Sequence, residues 1–190
     1  MKGVIAEWAV NGVPRGISVN KTHNLLVTCA HIVNKIKEFT SSGCLLREIA
    51  LPDDVVNPWH AIQSRSGQFI VCHGYDGNPI NRVCIISADG RHIVHSHGGQ
   101  SGSDNGQYTI PRHLAVDDNE SVFIADIGNR RVTLLSSTLE DVHQIVSPQQ
   151  LKWCPYRLFL DVRRRRLYVT ENDFRHFGDY KSGRVVVFTV

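Results

Sequence analysis

The sequence has no long apolar segment. No run approaches the ~18 residues that a membrane-spanning helix needs, and the first ten residues, MKGVIAEWAV, include Glu7 where a secretory signal would be apolar. The sequence also lacks a large excess of charge of either sign. The formal net charge is only +3 over 190 residues, which is too small to indicate a nucleic-acid partner by itself. These absences favour a globular protein away from the membrane, and we expect it in the cytoplasm.

Metal and catalytic motifs are lacking as well. The five cysteines are odd in number and include no CxxC pair, so they indicate neither a zinc ribbon nor a disulfide framework. No GxSxG nucleophile motif occurs, and no predicted helix follows HGGQSG, as a phosphate loop would require. His95 and His97 share one side of a predicted strand, but two ligands do not make a zinc site. The sequence therefore predicts no catalytic residue, no metal and no cofactor.

What the sequence does contain is a repeat. Pro14, Pro58, Pro111 and Pro155 each open a short β-like run, and they lie 44, 53 and 44 residues apart. Thirteen or fourteen residues after each proline comes a branched aliphatic residue, followed by a small one. These small residues are Thr28, Cys72, Ala125 and Thr170. We expect all four to be buried at equivalent positions of four second strands.

Each repeat contains strand candidates separated by turn residues, and no window has convincing helical periodicity. Four strands in about 44 residues are typical of a β-propeller blade. We therefore predict an all-β propeller of about four four-stranded blades. Its repeats are 14–57, 58–110, 111–154 and 155–190.

Two ways of arranging four blades remain open. In an open arc, or partial propeller, bare blade faces would favour self-association. In a closed four-bladed ring, residues 3–10 would complete the last blade as its outer strand. In the arc the same residues would form an outer strand of a neighbouring blade.

The third repeat, PRHLAVDDNESVFIADIGNRRVTLL, resembles the NHL repeat of tripartite-motif and related RING-type proteins. The matching residues are Asp117, Ala125, Asp126, Asn129 and Arg131. The fourth repeat matches through Asp161, Glu171 and Arg184. We interpret these residues as structural, with Asp126–Arg131 and Glu171–Arg184 as ion pairs beside the turn between two strands.

The resemblance implies NHL-type blades that bind a partner, protein or single-stranded RNA, through loops on one face. This top face holds the loops after the second and fourth strands. Its candidate binding residues combine aromatic and basic groups, as in protein hot spots and base-stacking surfaces. They are His73, Tyr75, Phe174, Arg175, His176, Tyr180 and Lys181. The basic run 163–166 lies on the opposite, bottom face and is interpreted as a solvated hairpin.

The sequence thus favours a non-enzymatic interaction module with a protein or RNA partner and no membrane contact. Ubiquitin-ligase activity is not implied, because no RING or B-box pattern is present. One alternative is a propeller enzyme of lyase or lactonase type with a site in the central channel. Another is a partial propeller without an independent function.

Overall fold

The computed structural model describes residues 7–30, 34–75, 77, 79–173 and 183–190. These residues form fifteen strands in four small antiparallel sheets. The structure is therefore an all-β, four-bladed β-propeller, and the predicted fold class is confirmed. No helix that could cross a membrane occurs in this part of the chain.

Each sheet is a blade whose strands follow the chain from the innermost outward. Blade one contains β1 (Val13–Val19), β2 (Leu25–Ala30), β3 (Lys35–Phe39) and β4 (Leu45–Ala50). Blade two contains β5 (Pro58–Gln63), β6 (Phe69–His73), β7 (Ile80–Ile86) and β8 (Ile93–Gln100). Blade three contains β9 (Pro111–Val116), β10 (Val122–Asp126), β11 (Arg131–Leu135) and β12 (Val142–Val146). Blade four contains β13 (Cys154–Asp161), β14 (Arg166–Asn172) and β15 (Gly183–Thr189).

The blades pack face to face in chain order, with β1 against β5, β5 against β9 and β9 against β13. Comparable packing between blades four and one is absent among the described residues. The core lies in the three interfaces between consecutive blades. They are built from aliphatic and aromatic residues such as Leu26 and Phe69, Ile70 and Ile124, and Ala125 and Val169. A blade therefore owes its burial to its neighbours.

The four small second-strand residues differ in burial. Thr28, Cys72 and Ala125 are fully buried, as expected, because each faces the next blade. Thr170 is only half-buried, contrary to the expectation. Its face of blade four meets no further blade in the described structure, and Phe159 on the same face is 66% exposed.

Residues 7–10, part of the predicted outer strand 3–10, form no strand here. They run across the outward face of blade one, where the Trp8 ring lies 6.1 Å from the Phe39 ring. Lys37 Nζ donates hydrogen bonds to the backbone oxygens of Val10 and Asn11. The segment thus covers an apolar face that no blade covers, and residues 3–6 lie outside the described residues.

Candidate functional site

The structure describes two of the predicted top-loop binding residues. Tyr75 is exposed, at 41% of its surface, and keeps its candidate role. His73 is fully buried, with its Nε2 atom 3.4 Å from Cys84 Sγ. Burial lowers the pKa of His73 to about 4. A partner cannot touch this side chain, so His73 is removed from the binding set. The remaining residues, Phe174, Arg175, His176, Tyr180 and Lys181, lie outside the described residues.

The predicted motif in blade three is a buried hydrogen-bonded cluster. Arg131 Nε donates to Asp126 Oδ2 over 2.9 Å, and Asn129 Nδ2 donates to the same oxygen over 2.7 Å. The backbone N–H of Thr109 donates to Asp126 Oδ1. Asp126 is fully buried, and burial raises the pKa of its carboxyl to about 6. With its oxygens engaged by three protein donors, Asp126 ties the loop before β9 to the turn between β10 and β11.

The other motif residues also bond within the protein. In blade four Arg184 pairs with the buried Glu171, which accepts the Trp153 backbone N–H. Asp117 accepts backbone N–H groups across the turn after β9, and Asp161 pairs with Arg164 in the turn after β13. Each of these motif residues thus has a bonding partner within the protein, and its structural role stays a prediction.

An unexpected feature is a β-bulge at the same place on all four inner strands. In each blade the residue after the repeat proline is skipped in the pairing of the first strand with the second. A bulge redirects a side chain and is frequent beside functional sites. We call the four bulge residues the bulge arc: Arg15, Trp59, Arg112 and Tyr156.

Cationic and aromatic side chains alternate along the bulge arc. The guanidinium groups of Arg15 and Arg112 lie 4.8 Å and 4.1 Å from the centre of the Trp59 ring. Arg112 also lies 4.5 Å from the Tyr156 ring and donates to its hydroxyl over 2.9 Å. Arg157, next in sequence, lies 4.3 Å from the same ring. Such cation–π contacts hold guanidinium groups in place without neutralising their charge.

The positive charge of this region is uncompensated among the described residues. Arg15, Arg112 and Arg157 have no ion pair with any carboxylate of the described chain. Burial lowers the pKa of Arg112, and nearby Arg157 and Arg15 lower it further. Arg112 Nε is buried and has no hydrogen-bond partner among the residues that the structure describes. An anionic group bound here would offset the repulsion between the guanidinium groups and accept a hydrogen bond from Arg112 Nε.

Two histidines stack directly behind the bulge arc. The rings of His60 and His113 lie 4.0 Å apart and nearly parallel. Each Nδ1 accepts a backbone N–H from the next blade, of Leu114 and Leu158 respectively. Because Nδ1 is an acceptor, the ring proton of a neutral imidazole must sit on Nε2. Burial lowers the pKa of His60 to about 4 and that of His113 to about 2, so both rings are neutral donors at Nε2.

Blade one has a glycine at the position of these histidines. A Cβ atom on Gly16 would lie 2.5 Å from the Trp59 carbonyl oxygen and 2.7 Å from His60 Cδ2. The His60 ring fills that space and reaches the Ile17 carbonyl oxygen, 3.1 Å from its Nε2. Glycine is therefore required in blade one by close packing.

An open cleft of about 640 Å³ connects this region to solvent. Its apolar wall comes from the outward side of blade one, including Trp8, Ile17 and Val27, while Arg15, His113 and Arg157 supply hydrogen-bond donors. Glu7 is the one carboxylate among the described lining residues. No cluster of three or more metal-binding side chains is found in the described part of the chain. The cleft is suited to hold an anion beside an apolar surface.

Sequence reasoning missed the bulge arc. None of its four residues was among the predicted binding residues. The readable signal was the residue that follows each repeat proline, which is Arg, Trp, Arg and Tyr in chain order.

Comparison with known proteins supports the propeller. No protein-family model and no curated protein matches the sequence. A crystal structure of a protein of unknown function from Bacteroides caccae aligns over 93% of this chain and 63% of that chain, with a TM-score of 0.70 and 15% identity. Virginiamycin B lyase from Staphylococcus aureus aligns over 94% of this chain and 56% of its own, with a TM-score of 0.60 and 18% identity.

A catalytically inactive histidine-to-alanine variant of that lyase, solved with quinupristin, has a TM-score of 0.60 and 15% identity over 86% of this chain and 50% of its own. This chain thus spans between half and two thirds of the length of these structures. At such identities the likeness shows the fold alone. The NHL-repeat resemblance has no family match behind it, so only its coarser part, the propeller, is established.

Proposed function

We propose that this protein is a non-enzymatic interaction module with NHL-like blades that holds an acidic segment of a partner protein at its top face. The observation that carries the proposal is the uncompensated positive charge of Arg15, Arg112 and Arg157 at the bulge arc. The bulges lie at the start of the inner strands, and those of blades two, three and four come directly after the top loops that follow an outer strand. The predicted top-loop residue Tyr75 belongs to the same face.

Carboxylate recognition fits this site better than base stacking. Bases bind single-strand sites by stacking on free aromatic faces, but guanidinium groups already lie over the Trp59 and Tyr156 rings. Lys152 lies over the Trp153 ring in the same way. Fixed guanidinium donors favour carboxylates through charge-assisted hydrogen bonds. The aromatic side chains therefore act as supports for cations, and RNA becomes the runner-up partner.

The channel histidines argue against the lyase or lactonase alternative. A general base needs a ring nitrogen with a free lone pair and a pKa near the working pH. In His60 and His113 the Nδ1 lone pair already accepts a backbone N–H, and both pKa values are far below neutrality. His60 Nε2 already donates to the Ile17 carbonyl oxygen, whereas His113 lines the cleft and is suited to donate a hydrogen bond to a bound anion.

Fluorescence polarisation with two labelled probes tests this function: a ten-residue peptide of alternating Glu and Gly, and a ten-nucleotide oligo(U) RNA. We expect the peptide to bind, and the Arg112→Gln, Arg157→Gln double variant to weaken it about tenfold. The Arg65→Gln, Arg91→Gln variant carries the same charge change at exposed sites elsewhere and should stay within twofold.

Added salt should weaken the interaction, since ionic contacts are screened. Tighter binding of oligo(U), lost in the same variant, would assign the site to RNA. Binding of neither probe, or equal loss in both variants, would overturn the proposal.

A further inference from the structure

Ile110 has a backbone conformation that its side chain disfavours. Its φ angle is 61°, in the left-handed region, and it is the only β-branched residue with a positive φ among the described residues. Branching at Cβ makes this region costly, and a residue before a proline, as Ile110 is before Pro111, ordinarily has an extended conformation. Strain of this kind persists only where the surroundings hold it in place, and it is concentrated at binding sites and switch regions.

Blade two shows which residue type suits this position. There the residue before the repeat proline is Asn57, which also has a positive φ, of 49°. Asparagine adopts the left-handed region more readily than a β-branched residue does, because its short polar side chain can form local hydrogen bonds. The backbone of this loop thus favours asparagine, and isoleucine at position 110 needs another reason.

The apolar core does not supply that reason. None of the four apolar clusters formed by the described residues includes Ile110. Its side chain is half-buried, so part of it stays in contact with solvent. In contrast, Tyr108, two residues earlier, is fully buried between blades two and three. An aliphatic side chain that is neither packed in the core nor favoured by the backbone is free to contact a ligand.

Hydrogen bonds on both sides hold the backbone of Ile110 in place. Its N–H donates to Asn81 Oδ1 over 3.1 Å, and its carbonyl oxygen accepts the Ile127 N–H over 3.2 Å. Next to it, the Thr109 N–H donates to Asp126 Oδ1, inside the motif cluster of blade three. The buried Asn81 of blade two and the motif cluster of blade three therefore fix the position of Ile110.

The same contacts place Ile110 beside the bulge arc. Arg112 follows it by two residues. Asn81, which accepts the Ile110 N–H, lies against Gly74, since a Cβ atom on Gly74 would be 2.5 Å from Asn81 Oδ1. The Gly74 carbonyl oxygen in turn accepts the Trp59 indole N–H over 2.6 Å. Ile110 is therefore close to two members of the bulge arc.

We propose that Ile110 contacts an aliphatic side chain of the bound partner segment, next to the acidic residue that the arginines of the bulge arc hold. This contact presupposes the proposed function and adds that the segment carries an aliphatic residue beside its acidic one. Contact between two aliphatic side chains adds affinity because it removes apolar surface from water. The strain at Ile110 is thus offset in the complex, where its side chain becomes buried.

Two labelled peptides measure the contact by fluorescence polarisation: the Glu–Gly peptide, and the same peptide with leucine at two inner glycine positions. We expect the leucine peptide to bind about fivefold more tightly, as one newly buried aliphatic contact gives. Ile110→Asn should bring the two affinities within about twofold, while Ile110→Val should keep most of the difference. Arg112→Gln with Arg157→Gln should weaken both peptides by the same factor.

Stability distinguishes a binding residue from a packing residue. Ile110→Asn should raise the melting temperature by about 2–4 °C, because it relieves the backbone strain. Asn57→Ile, the matched exchange in blade two, should lower the melting temperature by a similar amount. A lower melting temperature for Ile110→Asn would show that Ile110 packs inside the protein, and it would overturn the proposed contact.

The two peptides also separate this contact from the proposed function. Equal affinities, or a leucine advantage that survives Ile110→Asn, would overturn the contact. If the dependence on Arg112 and Arg157 is intact in that case, the proposed function stands. A leucine advantage that disappears in Ile110→Asn but does not depend on the arginines would retain the contact and reject carboxylate recognition. Binding of neither peptide would overturn both.

Discussion

Blades two and three differ from blades one and four in how their faces are covered. β6 and β10, the second strands of the two middle blades, are buried at every position. In contrast, β14, the second strand of blade four, is buried only at alternate positions, although it too contains leucine and valine. The comparison teaches that burial in this array is decided by a strand's place among the blades more than by its own composition.

The two end blades also differ from each other. Blade one covers part of its outward face with Trp8 and Val10, which pack on Val27 and Phe39. Blade four leaves Phe159, Val185 and Val187 exposed on its outward face. Among the described residues, the middle blades instead contain the histidines whose pKa values burial lowers to about 4 or below, namely the buried His60 and His73 and the half-buried His113. Changes of pH and side-chain substitutions should therefore affect the stability of middle blades and end blades differently.

Acid should produce the largest effect, and it should originate in the middle blades. Burial holds the pKa values of His60 and His73 at about 4 and that of His113 at about 2, below the 6.5 of an unperturbed histidine. As the pH falls below 6.5, these histidines bind protons in the unfolded chain but not in the folded chain. The free energy of unfolding therefore decreases as the pH is lowered. Asp126, with its raised pKa, offsets part of this loss.

From pH 7.5 to 4.5 we expect the free energy of unfolding to fall by on the order of 5 kcal/mol, since each pKa unit is worth about 1.4 kcal/mol. Urea titrations at several pH values would measure it. His73→Gln should remove about one proton from the pH dependence. Equal stability at pH 7.5 and 4.5 would contradict the buried histidines.

Removing the motif carboxylate should cost more in blade three than in blade four. In Asp126→Ala the Arg131 side chain, only 10% exposed, would lose its buried partner, at a cost of about 3–5 kcal/mol. In Glu171→Ala the Arg184 side chain is 44% exposed and stays hydrated, so the cost should be about 1–2 kcal/mol, mainly from lost hydrogen bonds. Denaturant unfolding of both variants measures the difference, and the reverse order would contradict the comparison.

A larger side chain at the same position of the second strand should reduce stability by different amounts in blades three and four. Ala125→Leu adds volume in the full interface between blades three and four and should destabilise by about 1–3 kcal/mol. Thr170→Leu makes a similar addition on the open face of blade four, where it loses only the hydrogen bond that Thr170 Oγ1 accepts from the Arg157 backbone N–H, so it should cost about 0.5–1 kcal/mol. Thermal unfolding of the pair is sufficient. An unchanged melting temperature for Ala125→Leu would mean that the blades are aligned differently.

The smallest effect is expected on the open face itself. Phe159→Ser should change the free energy of unfolding by no more than about 0.5 kcal/mol, because the side chain is mostly solvated already. It should instead reduce binding of an apolar dye and any self-association through this face. A loss of several kcal/mol would show that another part of the protein covers Phe159.

The periodic features of the fold could be predicted from the sequence. The recurring prolines and short β runs indicated four propeller blades, because they reflect local backbone requirements that repeat along the chain. The half-exposure of Thr170 could not be predicted, since its sequence context matches that of Ala125 and only its place in the array differs. His73 was assigned to a top loop, whereas it ends β6 at the position that Asp126 and Glu171 occupy in blades three and four, and it is buried as they are.

The candidate site was harder to predict than the fold. The residues of the bulge arc follow each proline at fixed spacing, yet nothing in the sequence marks the skipped pairing that sets their direction. The cationic and aromatic side chains also come into contact only because consecutive blades pack side by side. The contact between Arg112 and Trp59 joins residues 53 positions apart, and no local pattern reports it.

Gly16 makes blade one structurally different from the blades that follow it. Each histidine behind the bulge arc accepts a backbone N–H from the following blade, and His60 fits only because the preceding blade has Gly16 and no side chain there. The blades are therefore not interchangeable cassettes. A duplicate of blade three spliced in after blade three would find the N–H group its histidine needs. A histidine in place of Gly16 in blade one would clash with His60 of blade two. A blade with a histidine at this position can therefore be added after blade three, but it cannot directly precede blade two.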